Sequence, residues 1–183
     1  PVVLRALDLH SARDQTFTEG ITYLMGALQR HEAEQYCLDL KKTFFGCSLD
    51  GDSAFEVVNR EILTRELYMD GDKGEYWRAT HYSYQNSSTK IKMNGQLSRS
   101  IDETLGVKQG NCKSSDHYTS YNKPVLDTLE HAALGIWIGP INTGVSGVAD
   151  DDFLMSDDPV KLQGLIDIAE HYGKRYRITF GAS

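Results

Sequence analysis

Residues 44–59, FFGCSLDGDSAFEVVN, set an apolar run, an aspartate and a second apolar run side by side. Thr43–Leu49 is short and holds two phenylalanines, which reads as a buried strand ending at Asp50. A rival lies just upstream: Asp39 opens Asp39-Leu40-Lys41-Lys42-Thr43-Phe44-Phe45, and both aspartates have a phenylalanine five residues on. Their supports differ. Asp39 follows a polar helical stretch, whereas Asp50 closes an apolar strand that can hold a carboxylate rigidly. The chemistry is therefore placed at Asp50.

Outward from this strand, helices and strands mix. Residues 12–35 carry Ile21, Leu24, Met25 and Leu28 at helical spacing, and residues 57–69 carry Val58, Ile62 and Leu63 on one face. Asp70-Gly71 ends that helix, and Tyr76–Tyr84 forms another. Residues 88–102 alternate around Asn94-Gly95, a strong hairpin signal because that pair tolerates the positive φ angles of a tight turn. Residues 114–133 return to helical spacing, with Pro124 inside as a candidate kink. The stretch GIWIGPI, 135–141, reads as a strand. Asp158 and Pro159 look like the N-cap and first-turn residue of a helix whose apolar face is Leu162, Leu165, Ile166 and Ala169. RYRITF, 175–180, reads as a closing strand. The fold class is α+β, an antiparallel sheet backed by helices.

Of 183 residues, 40% are hydrophobic and 25% charged, enough for one domain with a sizeable core. No window approaches the ~18 consecutive apolar residues of a membrane span, and no secretory signal opens the chain. Three cysteines without metal-site spacing read as reduced thiols of an intracellular protein, cytoplasmic or nuclear. The histidines form no paired metal motif, which argues against a structural zinc. A net charge of −7, from 19 basic and 26 acidic residues, does not by itself suggest a nucleic-acid partner.

The run Gly147-Val148-Ala149-Asp150-Asp151-Asp152-Phe153-Leu154-Met155 is the second informative stretch. Adjacent like charges raise one another's pKa unless a cation or hydrogen bonds offset the repulsion. A solvated acidic turn is one reading; the apolar residues on both sides favour a tight bend between core strands. Carboxylates from such a bend and from the end of the 43–49 strand could meet on neighbouring strands. They would suit hard divalent cations, which take oxygen ligands. The segment from Asp70, DGDKGEYWRATH, has the first two ligand positions of a calcium loop. It puts His81 where the bidentate glutamate belongs, so it is not one.

Three motifs now stand in order: Asp50-Gly51-Asp52-Ser53-Ala54-Phe55-Glu56-Val57-Val58-Asn59, then Gly106-Val107-Lys108-Gln109-Gly110, then Val148-Ala149-Asp150-Asp151. Together they resemble successive signature motifs of reverse transcriptases, most closely the non-LTR retrotransposon type, over about Phe44 to Phe180. Asp50 matches each position of the first motif; Asp39 fails where Phe45 stands in place of an acid.

The resemblance implies an RNA-directed DNA polymerase that uses two Mg2+ ions, with Mn2+ as a substitute. Its partners would be an RNA template, a DNA primer and deoxynucleoside triphosphates. Asp50, Asp150 and Asp151 would be catalytic and hold the metals, with the Gly51 backbone near the triphosphate. Ala54, Phe55, Lys108, Gln109 and Gly110 would line the nucleotide site, with Phe55 under the incoming sugar excluding a ribose 2′-OH. Two departures are Asp152, where the family has an apolar residue, and Asn111, where a small one is commoner. The implied organisation is a partial fingers-like segment over 1–42 and a palm-like core over 43–183. The chain starts at Pro1 and stops after Ser183, as a piece of a longer element without a thumb would. The alternatives are an inactive retroelement remnant that binds nucleic acid, and a palm-like nucleotide cyclase that needs no template.

Overall fold

The computed structural model describes residues 23–51, 53–107, 113–148 and 151–182. In chain order its elements are helix α1 (Tyr23–Asp39), strand β1 (Phe45–Gly51), and helices α2 (Ala54–Val57), α3 (Arg60–Asp70) and α4 (Gly74–Gln85). Then come strands β2 (Ser88–Thr89), β3 (Lys92–Met93), β4 (Gln96–Leu97) and β5 (Ile101–Asp102), and helix α5 (Ser114–His131). The chain continues with β6 (Trp137–Ile138), β7 (Ile141–Asn142), β8 (Val145–Val148), β9 (Asp151–Ser156), α6 (Pro159–Tyr176) and β10 (Phe180–Ala182). The architecture is α+β with antiparallel sheets, as the sequence implies. Two compact units form, one of Pro1–Ala54 with Asn122–Ser183, the other of Phe55–Tyr121.

The first unit is built on a four-stranded sheet of order β10-β1-β9-β8. Strand β1 pairs antiparallel with both neighbours, from Phe45 opposite Ser156 to Asp50 opposite Asp151 on one side, and Leu49 opposite Ala182 on the other. Alternation then sorts the side chains. Leu49 and Leu154 are buried on one face, against which helix α6 packs with Leu165 and Ala169 inside. Phe153 and Met155 take the other face, in a cluster with Ala33 and Cys37 of α1, Ile136 and Ile138. Burying each such large side chain stabilises the unit by about 1.5–3 kcal/mol.

Sequence signals explain most element ends. The Asp158 side chain accepts hydrogen bonds from the Val160 and Lys161 amides at 2.7 and 3.3 Å, with Pro159 following as expected. Three boundaries differ from the reading above. The β1 strand carries Asp50 and Gly51 inside the ladder rather than after it, because β10 pairs with both. Residues 135–141 hold not one strand but the first arm and turn of the β6–β7 hairpin. It forms where Gly135 and Gly144 cross so closely that a Cβ on Gly135 would lie 2.1 Å from the Gly144 Cα. Residues 175–180 are mostly helix end: α6 runs on to Tyr176, Arg177 adopts the left-handed conformation that closes it (φ 57°), and β10 begins at Phe180. Helix α5 runs through Pro124. The stretch 12–22 lies outside the described residues, so α1 begins at Tyr23.

In the second unit, Asn59 divides the stretch read as one helix. Its side chain accepts from the Glu61 and Ile62 amides and starts α3, leaving α2 as a separate turn. Arg60 is buried, an uncommon place for a charge, and its donors are taken up. Its Nε donates to the Gly106 carbonyl at 2.8 Å and Nη1 to Tyr84 at 3.1 Å, while Glu103 accepts through both backbone and carboxylate. The Trp77 indole donates to the Thr64 carbonyl at 2.7 Å, tying α4 to α3. The predicted hairpin is present, with Asn94 and Gly95 both at positive φ.

Candidate active site

Strand register brings Asp50 and Asp151 face to face. They are direct partners in the β1–β9 ladder. Side chains so placed on one face of an antiparallel pair have Cβ atoms about 4.5–5.5 Å apart. Both residues are solvent-exposed. The acidic run thus divides by alternation: Asp151 shares a face with Asp50, while Asp152 turns to the opposite face and is 2% exposed. There Asp152 sits across from Leu49 and Gly147, and a Cβ on Gly147 would come within 3.0 Å of the Asp152 Oδ1. The bare glycine leaves room for a carboxylate where the resemblance has an apolar side chain.

The remaining predicted site residues fall in three places. Gly51 is buried in β1 opposite Phe180, and Ala54 is buried at the start of α2. Phe55 belongs to the second unit, where it is half-buried and stacks on Tyr118 with ring centroids 4.7 Å apart. Asp150, Lys108, Gln109 and Gly110 lie outside the described residues, as does Asn111. Asp39 is exposed at the last turn of α1 and takes no part in the sheet.

Two facing carboxylates offer hard oxygen donors on a rigid support, the donor set that suits Mg2+ or Mn2+. Among the described residues no three His, Cys, Asp or Glu side chains gather at one point. The third carboxylate that the resemblance implies, Asp150, precedes Asp151 directly in the chain.

Beside Asp151 lie residues that were not singled out from the sequence. A cleft of about 220 Å3 is lined by Gly26, Ala27, Arg30, Ser48, Ser146 and Asp151. The Arg30 guanidinium lies over the Phe153 ring, 5.1 Å from its centroid. Small residues on α1 at 26 and 27 open this cleft, and Gly26, a poor helix former inside a helical pattern, is the signal in the sequence that could have marked it.

Other titratable groups support the frame. Lys42 donates to Asp157 at 2.7 Å, which holds the Asp157 carboxyl below its usual range. Burial pushes the Cys37 thiol up, with the Asp157 charge adding to it. In the second unit the Tyr84 hydroxyl and His117 Nδ1 are 2.8 Å apart and buried. Desolvation raises Tyr84 to about 12 and lowers His117.

No family model matches the chain. Among solved structures, an apo telomerase from Candida tropicalis, truncated from its C-terminal domain, superposes with a TM-score of 0.64 at 14% sequence identity. The match covers 87% of this chain and 34% of the telomerase chain, so this chain spans about a third of its neighbour's length. At that identity the likeness is one of fold, and the fold is telomerase-like. No helix among the described residues is long and apolar enough to cross a membrane.

Proposed function

We propose that this chain is the catalytic palm of an RNA-directed DNA polymerase of the non-LTR retrotransposon type. The observation that carries the reading is the direct pairing of Asp50 with Asp151 on the exposed ends of adjacent strands. The sheet behind them is packed on both faces, so the two carboxylates are held without the cost of reorganising at each turnover.

Asp50, Asp150 and Asp151 would hold the two Mg2+ ions, with the Gly51 backbone beside them. Ions in such a site supply positive charge to the attacking and leaving oxygens of a phosphoryl transfer. The chain's own residues position that chemistry. The β1–β9 ladder fixes the carboxylates, and Phe55, supported by its stack on Tyr118, is the candidate floor for the deoxyribose. Ala54, Lys108, Gln109 and Gly110 complete the proposed nucleotide site. In the reaction the primer 3′-hydroxyl attacks the α-phosphate of a deoxynucleotide, a new phosphodiester forms, and pyrophosphate leaves. In this reading, as the resemblance implies, template, primer and nucleotide are RNA, DNA and dNTP.

The test is primer extension on an RNA template with dNTPs and Mg2+, using the longest polypeptide that the reading frame encodes. Template-directed extension supports the proposal. Binding of nucleic acid without extension would identify an inactive remnant, and conversion of a nucleoside triphosphate to a cyclic nucleotide without template would identify a cyclase.

A further inference from the structure

The ribbon of residues 88–102 stands apart in character from the rest of the second unit. Apart from half-buried Ser98, each of its residues is exposed. Its register can be followed from end to end: Ser88 and Thr89 face Asp102 and Ile101, the Ser98 amide donates to the Ile91 carbonyl, and Lys92 and Met93 face Leu97 and Gln96. Between these pairs Arg99 and Ser100 stand opposite the single residue Lys90. This is a β-bulge, which shifts one strand's alternation by one residue.

The bulge decides what each face shows. Lys90, Lys92, Leu97 and Arg99 fall on one side. Thr89, Ile91, Met93, Gln96, Ser98 and Ile101 fall on the other, Ile101 being brought there by the extra residue. Over 88–102 the ribbon carries three cations and a single acid, Asp102 at its base opposite Ser88, in a chain of net charge −7. Half of the described cations have an acidic partner, Lys42, Arg60, Lys113, Lys123 and Lys174 among them. Lys90, Lys92 and Arg99 have no ion pair among the described residues.

We infer that this basic face is a docking surface for the phosphate backbone of an RNA strand. Lys90 and Lys92, two residues apart on one strand, are spaced by about 6.8 Å. Both can therefore face the backbone of one polyanionic strand. The side chains of Ser88, on the basic face, and of Asn94 at the turn are of the types that hydrogen-bond phosphate and sugar oxygens. A protein partner fits less well. Protein interface cores are enriched in aromatic residues and depleted in lysine, and the ribbon has two lysines and no aromatic residue. The absence of aromatics also means backbone recognition rather than base stacking. The rest of the acidic chain repels a polyanion, so attraction is concentrated where unpaired cations cluster. The inference rests on the proposed function only for the choice of RNA as the polymer.

Fluorescence anisotropy with a short, mixed-sequence, labelled single-stranded RNA, titrated at several salt concentrations with the full chain, tests it. The triple variant Lys90→Ala/Lys92→Ala/Arg99→Ala should weaken binding at low salt at least about tenfold and reduce the slope of log K against log salt by about 2. All three side chains are exposed, and circular dichroism will verify the fold. The control Lys41→Ala/Arg175→Ala removes two exposed cations elsewhere and should leave the slope within about half a unit of the parent. An unchanged slope in the triple variant, an equal drop in the control, or no RNA binding by the parent chain at low salt would overturn the inference. So would a partner switch: if Ile91→Ser/Met93→Ser dissolves a dimer while the triple variant binds RNA normally, the ribbon takes protein. A lost slope in a chain that never extends a primer would retain the docking surface and discard the polymerase.

Discussion

The β1–β9 pair and the 88–102 ribbon are both antiparallel ladders that carry charge, yet core surrounds one and water the other. In the sheet, Leu49, Leu154 and Met155 are buried, and the facing pair Asp50–Asp151 is anchored by packing it does not itself join. In the ribbon, Ile91, Met93 and Leu97 are each at least 60% exposed, so the cations beside them are positioned by the turn and the bulge alone. The same alternation of side chains thus yields an acidic pair backed by core in one place and a solvent-exposed basic face in the other. A core-backed pair would suit the proposed two-ion site, and a solvent-exposed face the proposed RNA strand.

The largest effect expected is on activity. In the longest encoded polypeptide, Asp50→Asn should lower primer extension by more than about 100-fold, above the roughly 10–100-fold that losing a partner of a metal ligand costs. Asp39→Asn, at the exposed end of α1, should leave it unchanged. Equal losses would erase the distinction between the two aspartates. Next comes stability. Leu154→Ala in the sheet should cost about 2–5 kcal/mol in a urea melt, whereas Leu97→Ala in the ribbon should fall within about 0.5 kcal/mol of the parent. A costly Leu97→Ala would mean the ribbon is held by packing after all.

Substrate choice follows. Phe55→Ala should raise ribonucleotide incorporation about 10- to 100-fold relative to deoxynucleotides, because an aromatic floor rejects a 2′-OH by clash. Parallel loss with both sugars, in an unstable protein, would instead mark Phe55 and its Tyr118 stack as core. The smallest effect is the pH response of the second unit. Burial lowers His117 below its ordinary value of 6.5, with Lys113 adding to this and Asp72 and Asp116 opposing it. The unfolded chain therefore takes up the proton first, so this contribution to stability is complete above about pH 6.5 and is lost as pH falls below it. Thermal melts between pH 7.5 and 5.5 should show a steeper fall for the parent than for His117→Gln; equal slopes would remove His117 as the cause.

Much of this was legible in the sequence where a local rule acts alone. Asn94-Gly95 specifies its turn, Asp158-Pro159 its helix start, and Asp50 its strand by the apolar run before it. What was not legible depends on partners distant in the chain. Nothing around Asp151 says that it, rather than Asp152, faces Asp50; the register with β1 decides that. The burial of Arg60 needs the carbonyls of Tyr84, Glu103 and Gly106 to arrive. The β6–β7 hairpin depends on the close crossing of Gly135 and Gly144, and the bulge at Arg99–Ser100 on hydrogen bonds from the opposite strand. The resemblance to reverse transcriptases supplied the order of the motifs, and the telomerase-like fold agrees with it at the level of architecture.

If Asp50 and Asp151 jointly hold a divalent ion, electron paramagnetic resonance of Mn2+ titrated into the chain reads this directly. Free Mn2+ gives a sharp signal that diminishes on binding, so the bound fraction follows from its loss. The parent chain should bind Mn2+, with Mg2+ competing, and both Asp50→Asn and Asp151→Asn should weaken that binding at least about tenfold, while Asp39→Asn leaves it intact. Superimposable binding curves for the parent, Asp50→Asn and Asp151→Asn would contradict the account.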